Sequence, residues 1–310
     1  MHNYLGIDTS NYTTSVALYD ADIKKVIHQK KLLPVKEGQL GLRQSDAVFH
    51  HVQQLPDVLG NVMNQVDSLP LAIGVSKSPR DAEGSYMPCF TVGVCNARVL
   101  SSTLKVPYYE FSHQRGHIVA ALYSADRLDL LSERFLAFHV SGGTTEAVIV
   151  KPSKDIIKTE LVAKTLDLNA GQAVDRVGSM LGLKFPAGAE LDKLACTYEG
   201  KIKSKPTLKG CDCCLSGVEN ICSEMLRKGE QSNKVARYCI EHICATIDNM
   251  CENLIKEFGE LPVLFAGGVM SNSIINKRLK EKYNAVFALP EFSSDNAAGI
   301  AILTAMRAEM

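Results

Sequence analysis

His113 and His117 stand four residues apart in the segment SHQRGHIVAAL, which has helical spacing and Ser112 as a candidate N-cap. That spacing puts both imidazoles on one helix face, close enough to share a metal ion, although two ordinary surface histidines would leave the same pattern. Ser141-Gly142-Gly143-Thr144-Thr145 lies between two apolar runs, 135–140 and 147–150. Apolar runs around a Gly-Gly turn read as a β-hairpin. The glycines let a phosphate or acyl group approach bare backbone N–H groups, and the hydroxyls add donors. Asp175, Gly188 and Asp192 lie around the loop Phe185-Pro186-Ala187-Gly188. Two carboxylates and a glycine can hold a ribose; they also read as ordinary helix-surface acids. Ala266-Gly267-Gly268-Val269 closes an apolar run before a predicted helix, with Asn272 in its first turn. Glycines between a strand and a helix N-terminus make a nucleotide seat or merely a tight turn. Asp295 opens the last predicted helix, where it either complements the helix dipole or serves as a carboxylate ligand to a histidine-bound metal.

These residues need a frame, and the chain writes that frame twice. Ser10-Asn11-Tyr12-Thr13-Thr14 repeats the pattern S-x-x-T-T, again between apolar runs, 5–7 and 16–19. In the first half a third strand at 26–31, a polar loop at 37–45 and a helix at 47–66 follow. Pro56 is expected to kink that helix or start it anew. A strand at 71–75, a small-residue helix at 91–104, a strand at 106–110 and the histidine helix at 112–122 complete the half. The second half runs from its hairpin to a strand near 158–163 and helices at 170–181 and 191–198. A lysine-bearing connector at 201–210 is expected to be a solvated loop. Then come a long helix at 235–258 ended by Gly259, a strand at 262–265, a helix at 271–283, a strand at 286–289 and a helix from about 293 to the end. Hairpins followed by strand–helix alternation, twice over, predict an α/β protein of two similar lobes.

Composition narrows the function. The chain has 310 residues, 46% hydrophobic and 22% charged, which suits a soluble globular protein. The N-terminus lacks the form of a signal peptide and no apolar run is long enough to span a bilayer, so a cytoplasmic protein with no membrane partner is expected. Lys+Arg and Asp+Glu both number 34. With no net charge there is no global field for nucleic acid, and an RNA partner needs a local patch or a second protein. Of the ten cysteines, Cys239, Cys244 and Cys251 fit one buried helix face. Cys211-Asp212-Cys213-Cys214 lacks a paired C-x-x-C and a nearby histidine, so structural thiols are expected there rather than zinc.

Taken in order, GIDTS, SHQRGH, VSGGTT, AVDRVGSMLGLKFPAG, LSG at 215–217, AGGVMSN and SSDNAAGIAI resemble the tRNA N6-adenosine threonylcarbamoyltransferase family, once called the O-sialoglycoprotein endopeptidase or glycoprotease family. The resemblance covers essentially the whole chain. It implies the duplicated actin/Hsp70/sugar-kinase-like (ASKHA) fold, with lobes at 1–111 plus 294–310 and at 112–293 and a nucleotide or acyl-adenylate cleft between them. It also implies roles. His113, His117 and Asp295 match the family's ligands to one divalent metal, iron or zinc. His139 stands where some members carry a metal-binding tyrosine, so it is a candidate fourth ligand. Ser141, Gly142 and Gly143 match the acyl-phosphate turn that would carry the catalytic role. Asp175, Gly188 and Asp192 match ribose- and nucleotide-facing positions, and Asn272 an adenine-side contact. ATP, AMP or the acyl-adenylate is the implied ligand. The implied partners are a separate adenylate-forming synthase, a TsaB-like or kinase-like subunit, and tRNA through a local patch.

The chain departs from the family pattern at several points. The acidic pair near the N-terminus is replaced in Asp8-Thr9-Ser10-Asn11-Tyr12-Thr13, and a Gly-Pro-Gly loop by SKSPRDAEGSYMP. Thr144 stands for a histidine or asparagine, and Ala187 for a glycine. The expected activity is metal- and nucleotide-dependent transfer of threonylcarbamoyl to the adenosine beside the tRNA anticodon. The alternatives are a divergent paralogue that carbamoylates another acceptor, and a non-catalytic nucleotide-binding scaffold.

Overall fold

The computed structural model of the protein describes residues 2–10, 12–34, 42–293 and 295–310. Asn11 of the first S-x-x-T-T segment, residues 37–41 of the expected polar loop, and Ser294 lie outside the described residues. The chain divides into two compact units. One comprises Met1–Leu131, Pro152–Lys158 and Glu291–Met310, the other Ser132–Lys151 and Thr159–Pro290.

In the first unit β1 (Asn3–Ser10) and β2 (Thr13–Asp20) form the expected hairpin, paired from Asn3↔Asp20 to Ser10↔Thr13. β3 (Lys25–Leu32) extends it antiparallel. After α1 (Gln44–Met63), β4 (Ala72–Ser78) pairs parallel to β1. After α2 (Phe90–Leu104), β5 (Tyr108–Ser112) pairs parallel to β4 and runs into α3 (His113–Ser124). The sheet order is β3-β2-β1-β4-β5. β1 and β2 are buried on both faces, so their sequences do not alternate apolar with polar residues. Leu5, Ile7, Val16 and Leu18 pack with Ile73 and Val75 and with Leu55, Val58 and Val62 of α1. Pro56 neither ends nor restarts α1. The carbonyl it leaves without an N–H belongs to Val52, an exposed residue, where water can serve.

The second unit repeats the plan. β6 (Phe135–Val140) and β7 (Thr145–Ser153) pair antiparallel from Phe135↔Val150 to Val140↔Thr145, and β8 (Ile156–Lys164) follows. Next come α4 (Ala170–Met180), α5 (Gly188–Cys196), β9 (Thr207–Lys209), β10 (Asp212–Cys214), α6 (Ser216–Arg227) and α7 (Ser232–Phe258). β11 (Val263–Ala266) lies parallel to β6, and after α8 (Ser273–Tyr283) the short β12 (Val286–Phe287) lies parallel to β11. The order β12-β11-β6-β7-β8 is the first sheet's order read from the other edge. α7 carries Val235, Cys239, Ile243, Ile247, Met250 and Leu254 into the core and stops at Gly259, whose φ of 86° only glycine adopts easily.

Two expectations are corrected. The connector at 201–210 is not all solvated loop, because it contains β9, and Cys211-Asp212-Cys213-Cys214 supplies β10. Leu208 and Cys213 turn that hairpin onto the core, and all the cysteines are free thiols. α6 had no sequence expectation. The last helix does not start at Ser293: a short α9 (Pro290–Ser293) precedes α10 (Ala298–Ala308), and Asp295 and Asn296 occupy the break. Asn296 Oδ1 accepts the Ala298 N–H (3.0 Å) and turns the chain into α10. Among the described residues, no helix is long and apolar enough to cross a membrane.

Candidate functional site

α3 is built to present its first turn. Ser112 ends β5 in extended backbone, and its Oγ accepts the Arg115 N–H (3.3 Å), which fixes the helix start at His113. His117 follows one turn later, its ring centroid 4.3 Å from that of His113. α10 crosses α3 where glycine faces glycine. A Cβ on Gly299 would lie 1.9 Å from the Gly116 carbonyl oxygen, so no other residue permits this approach. The crossing brings the residues just before α10 onto the histidines. Asp295 Oδ1 lies 3.2 Å from His117 Nε2 and 3.5 Å from His113 Nε2. The three ligand atoms all fall within 4.8 Å of one another, a spacing that one ion can bridge.

A second carboxylate backs this group. Asp8, near the end of β1, accepts from His113 Nδ1 at 2.6 Å and is 1% exposed. Its other oxygen accepts the Ser76 hydroxyl (2.7 Å) and the Ser10 N–H (2.9 Å). Burial alone would lower the His113 pKa, but Asp8 and Asp295 outweigh it and hold the imidazole at about 10. Burial pushes Asp295 the other way, and the two imidazoles nevertheless keep it well below the usual carboxylate range. The cluster therefore holds a proton that a cation can replace at His113 Nε2, while the Nδ1–H stays on Asp8. A carboxylate that fixes the tautomer of a ligating histidine is a recurrent metal-site feature. Two imidazoles, one carboxylate and that backing fit a divalent transition metal with open positions. Sequence reasoning missed Asp8, although a lone carboxylate in the buried run YLGID was a usable signal. His139 lies on β6 in the second unit, in register with Glu146 and Ala266, and is not one of the three.

The Ser-Gly-Gly turn of the second unit is stiff at its ends and bare at its tip. The Ser141 N–H donates to the Thr144 carbonyl (2.7 Å) and the Thr144 N–H to Ser141 Oγ (3.2 Å). The Ser141 carbonyl accepts the Gly171 N–H (3.1 Å), and a Cβ on Gly171 would lie 2.6 Å from Gly142 N. The start of α4 thus presses against the turn. Gly142 and Gly143 themselves face open space, where a Cβ would meet nothing within 4 Å. Packing therefore does not require these two glycines, whereas a ligand on their backbone would.

The other sequence-selected residues are spread over α4, α5 and α8. Asp175 on α4 accepts the Ala187 N–H (2.9 Å), and burial raises its pKa. Gly188 opens α5 with free space beside it. Asp192 and Asn272 meet. Asn272 Nδ2 donates to Asp192 Oδ1 (2.9 Å), and Asn272 Oδ1 caps α8 through the N–H groups of Ile274 and Ile275. Asp192 also accepts from the Ser273 N–H (3.0 Å) and hydroxyl (2.9 Å). In this arrangement both side chains hold the α8 N-terminus beside the Gly267-Gly268 turn. In the first unit, the loop that replaces Gly-Pro-Gly is tied to α3. Arg115 pairs with Asp81, and the Gln114 N–H donates to the Pro79 carbonyl (3.0 Å).

Comparison with known proteins gives this geometry a family. The profile described as TsaD, tRNA N6-adenosine threonylcarbamoyltransferase, matches residues 24–302. The tRNA N6-adenosine threonylcarbamoyltransferase of Thermosipho africanus is 31% identical over 321 residues, covering 96% of this chain and 92% of that protein. Among solved structures, T. kodakarensis HypF superposes with a TM-score of 0.62 at 13% identity, over 99% of this chain and 48% of that one. The ROK hexokinase of Thermus thermophilus does so at 0.53 and 14%, over 99% of each. At such identities these two structures speak for the fold alone, an ASKHA-type one.

Proposed function

The chain belongs to the tRNA N6-adenosine threonylcarbamoyltransferase family, and from that premise we propose which of its residues carry the reaction. The enzyme transfers a threonylcarbamoyl group to the N6 amine of a tRNA adenosine, and the alternative acceptors are not favoured. The family-implied acceptor is the adenosine beside the anticodon, and the donor is threonylcarbamoyl-adenylate. In the transfer the amine nitrogen bonds to the carbamoyl carbon, the bond from that carbon to the phosphate oxygen breaks, AMP leaves with the electron pair, and the amine gives up a proton.

His113, His117 and Asp295 hold one divalent metal, iron or zinc, and Asp8 orients His113. When bound, the ion supplies a Lewis acid and a template for the donor's oxygens. His139 is a fourth ligand at most. The bare N–H groups of Gly142 and Gly143 receive the acyl-phosphate and stabilise the charge that gathers on its oxygens, with the Ser141 hydroxyl holding the turn. Asp175 offers its unbonded oxygen to a ribose hydroxyl, beside Gly188. Asp192 and Asn272 position the glycine turn before α8, where the nucleotide's adenine side would lie. A separate synthase supplies the adenylate, and a TsaB-like or kinase-like subunit assists. The single observation that carries the reading is the His113–His117–Asp295 group backed by Asp8, in a chain that matches the family over residues 24–302.

The test supplies the metal-loaded chain with threonylcarbamoyl-adenylate, tRNA and its partner proteins, and measures the modified nucleoside. Formation is expected with the wild type and not with the His113→Ala/His117→Ala variant. Without partners the yield is expected to be weak, because the acidic pair is missing at Tyr12-Thr13 and the loop after β4 is replaced. No modified nucleoside from the complete system would refute the reading.

A further inference from the structure

The segment KIKSKPTLKG, Lys201 to Gly210, presents a row of cations that nothing in the chemistry above uses. Exposure alternates strictly along it. Lys201, Lys203, Lys205 and Lys209 face solvent, and Ile202, Ser204, Pro206 and Leu208 are half-buried. The inward residues fix the register. Ser204 Oγ lies 2.9 Å from His242 Nδ1 on α7, Leu208 packs on the core, and Pro206 favours extended backbone at Lys205. Alternate residues of extended backbone lie about 6.6 Å apart on one side, comparable with successive phosphates of a ribose-phosphate strand.

The charge is local and uncompensated. The whole chain balances 34 basic against 34 acidic residues, yet from Tyr198 to Gly210 four lysines face one acid, Glu199. Other lysines are paired: Lys77 with Glu110, Lys151 with Glu160, Lys234 with Glu230, and Lys282 with Asp248 and Glu252. None of the four lysines in the row takes part in an ion pair among the described residues. Asp212 stands opposite Lys209 in the β9–β10 ladder, but its carboxylate accepts the Lys164 N–H (2.8 Å).

We propose that Lys201, Lys203, Lys205 and Lys209 form a docking rail for the phosphate backbone of the substrate RNA, reading position rather than sequence. This rests on the reading that the acceptor is a tRNA. It gives a chain of zero net charge the local patch that RNA binding requires. Flexible ammonium groups on a segment anchored by its inward residues suit a backbone that is followed by charge alone.

The experiment measures tRNA binding by the full-length chain across a salt series. It compares the wild type, a variant with all four lysines changed to glutamine, and one with all four changed to arginine. The glutamine variant is expected to bind roughly 30-fold more weakly at low salt. Its slope of log affinity against log salt is expected to fall by about 3, since each released contact contributes about 0.7 to 0.9. The arginine variant is expected to keep both affinity and slope. Thermal melting and metal content, unchanged in all three, show that the fold is intact. An unchanged slope in the glutamine variant would overturn the rail, as would tighter binding to vesicles of anionic phospholipid than to tRNA. If the wild type with its partners modifies tRNA at the same KM as the glutamine variant, the rail fails and the transferase reading stands. If the complete system modifies no tRNA, the reading itself fails.

Discussion

The two sheets share one strand order and one hairpin pattern, yet they put opposite chemistry at the same place. Ser10 and Ser141 occupy equivalent turn positions, and two residues earlier stand Asp8 and His139. In the first unit that position is a buried carboxylate gripping His113, beside charged side chains grouped closely enough to share a cation. In the second unit the turn is carried by backbone, with two glycines that have open space beside them, which the proposed reading assigns to an anion. The neighbouring threonines diverge as well. Thr14 Oγ1 lies 2.8 Å from His51 Nδ1 on α1, whereas Thr145 Oγ1 accepts the Ala170 N–H that starts α4 (2.9 Å). In the proposed reading one frame thus serves as a cation seat or an anion seat, according to whether side chains or backbone line the end of its first hairpin.

The largest effect expected is on the cation seat. The variant lacking both His113 and His117 should lose stoichiometric metal, and Asp295→Ala should lose most of it, by elemental analysis after gentle purification. His139→Ala should change little. Full occupancy without both histidines would make the pair ordinary surface residues and end the contrast. On the anion seat, Gly142→Val should lower affinity for adenine nucleotide roughly 100-fold by calorimetry, with metal content intact. The fold should tolerate it because the side chain enters open space. Unchanged nucleotide affinity would show that the bare turn is only a turn.

Asp8→Asn tests whether the carboxylate acts through His113. Metal affinity should fall about 10- to 100-fold, while adenine nucleotide binding to the second unit stays. A smaller effect separates the two threonines. Burial pushes the His51 pKa down to about 4. Above its ordinary 6.5 both states are neutral. As pH falls from there towards 4, the unfolded chain takes up a proton that the native one refuses. Stability should then drop by up to about 3 kcal/mol and level off below. Urea unfolding at about pH 7 and about pH 5 measures this, and His51→Gln should flatten the difference. Thr145, bonded to a backbone N–H, offers no such dependence. Smallest is Asp192→Ala, which removes the brace at the α8 N-terminus at a cost of about 1 kcal/mol. It should weaken nucleotide binding less than Asp175→Ala does.

The sequence by itself determined what backbone geometry repeats locally. A four-residue spacing puts His113 and His117 on one face of any helix, and S-x-x-T-T between apolar runs marks a hairpin in both of its copies here. It also determined the length and core face of α7, because apolar residues at helical period bury only one way. It underrated the connector at 201–210, since β9 and β10 exist only because Leu208 and Cys213 find the core. It left Asp295 on a helix that is in fact broken around it. The tertiary structure alone showed how Asp295, which the family resemblance grouped with the histidines, meets His117 across 178 residues, and that Asp8 meets His113 across 105. It alone decided that Asn272 and Asp192 bond to each other. No local rule fixes such pairs. They follow from how closely two backbones pass, which at α3 and α10 depends on glycine facing glycine and on nothing that either segment shows alone.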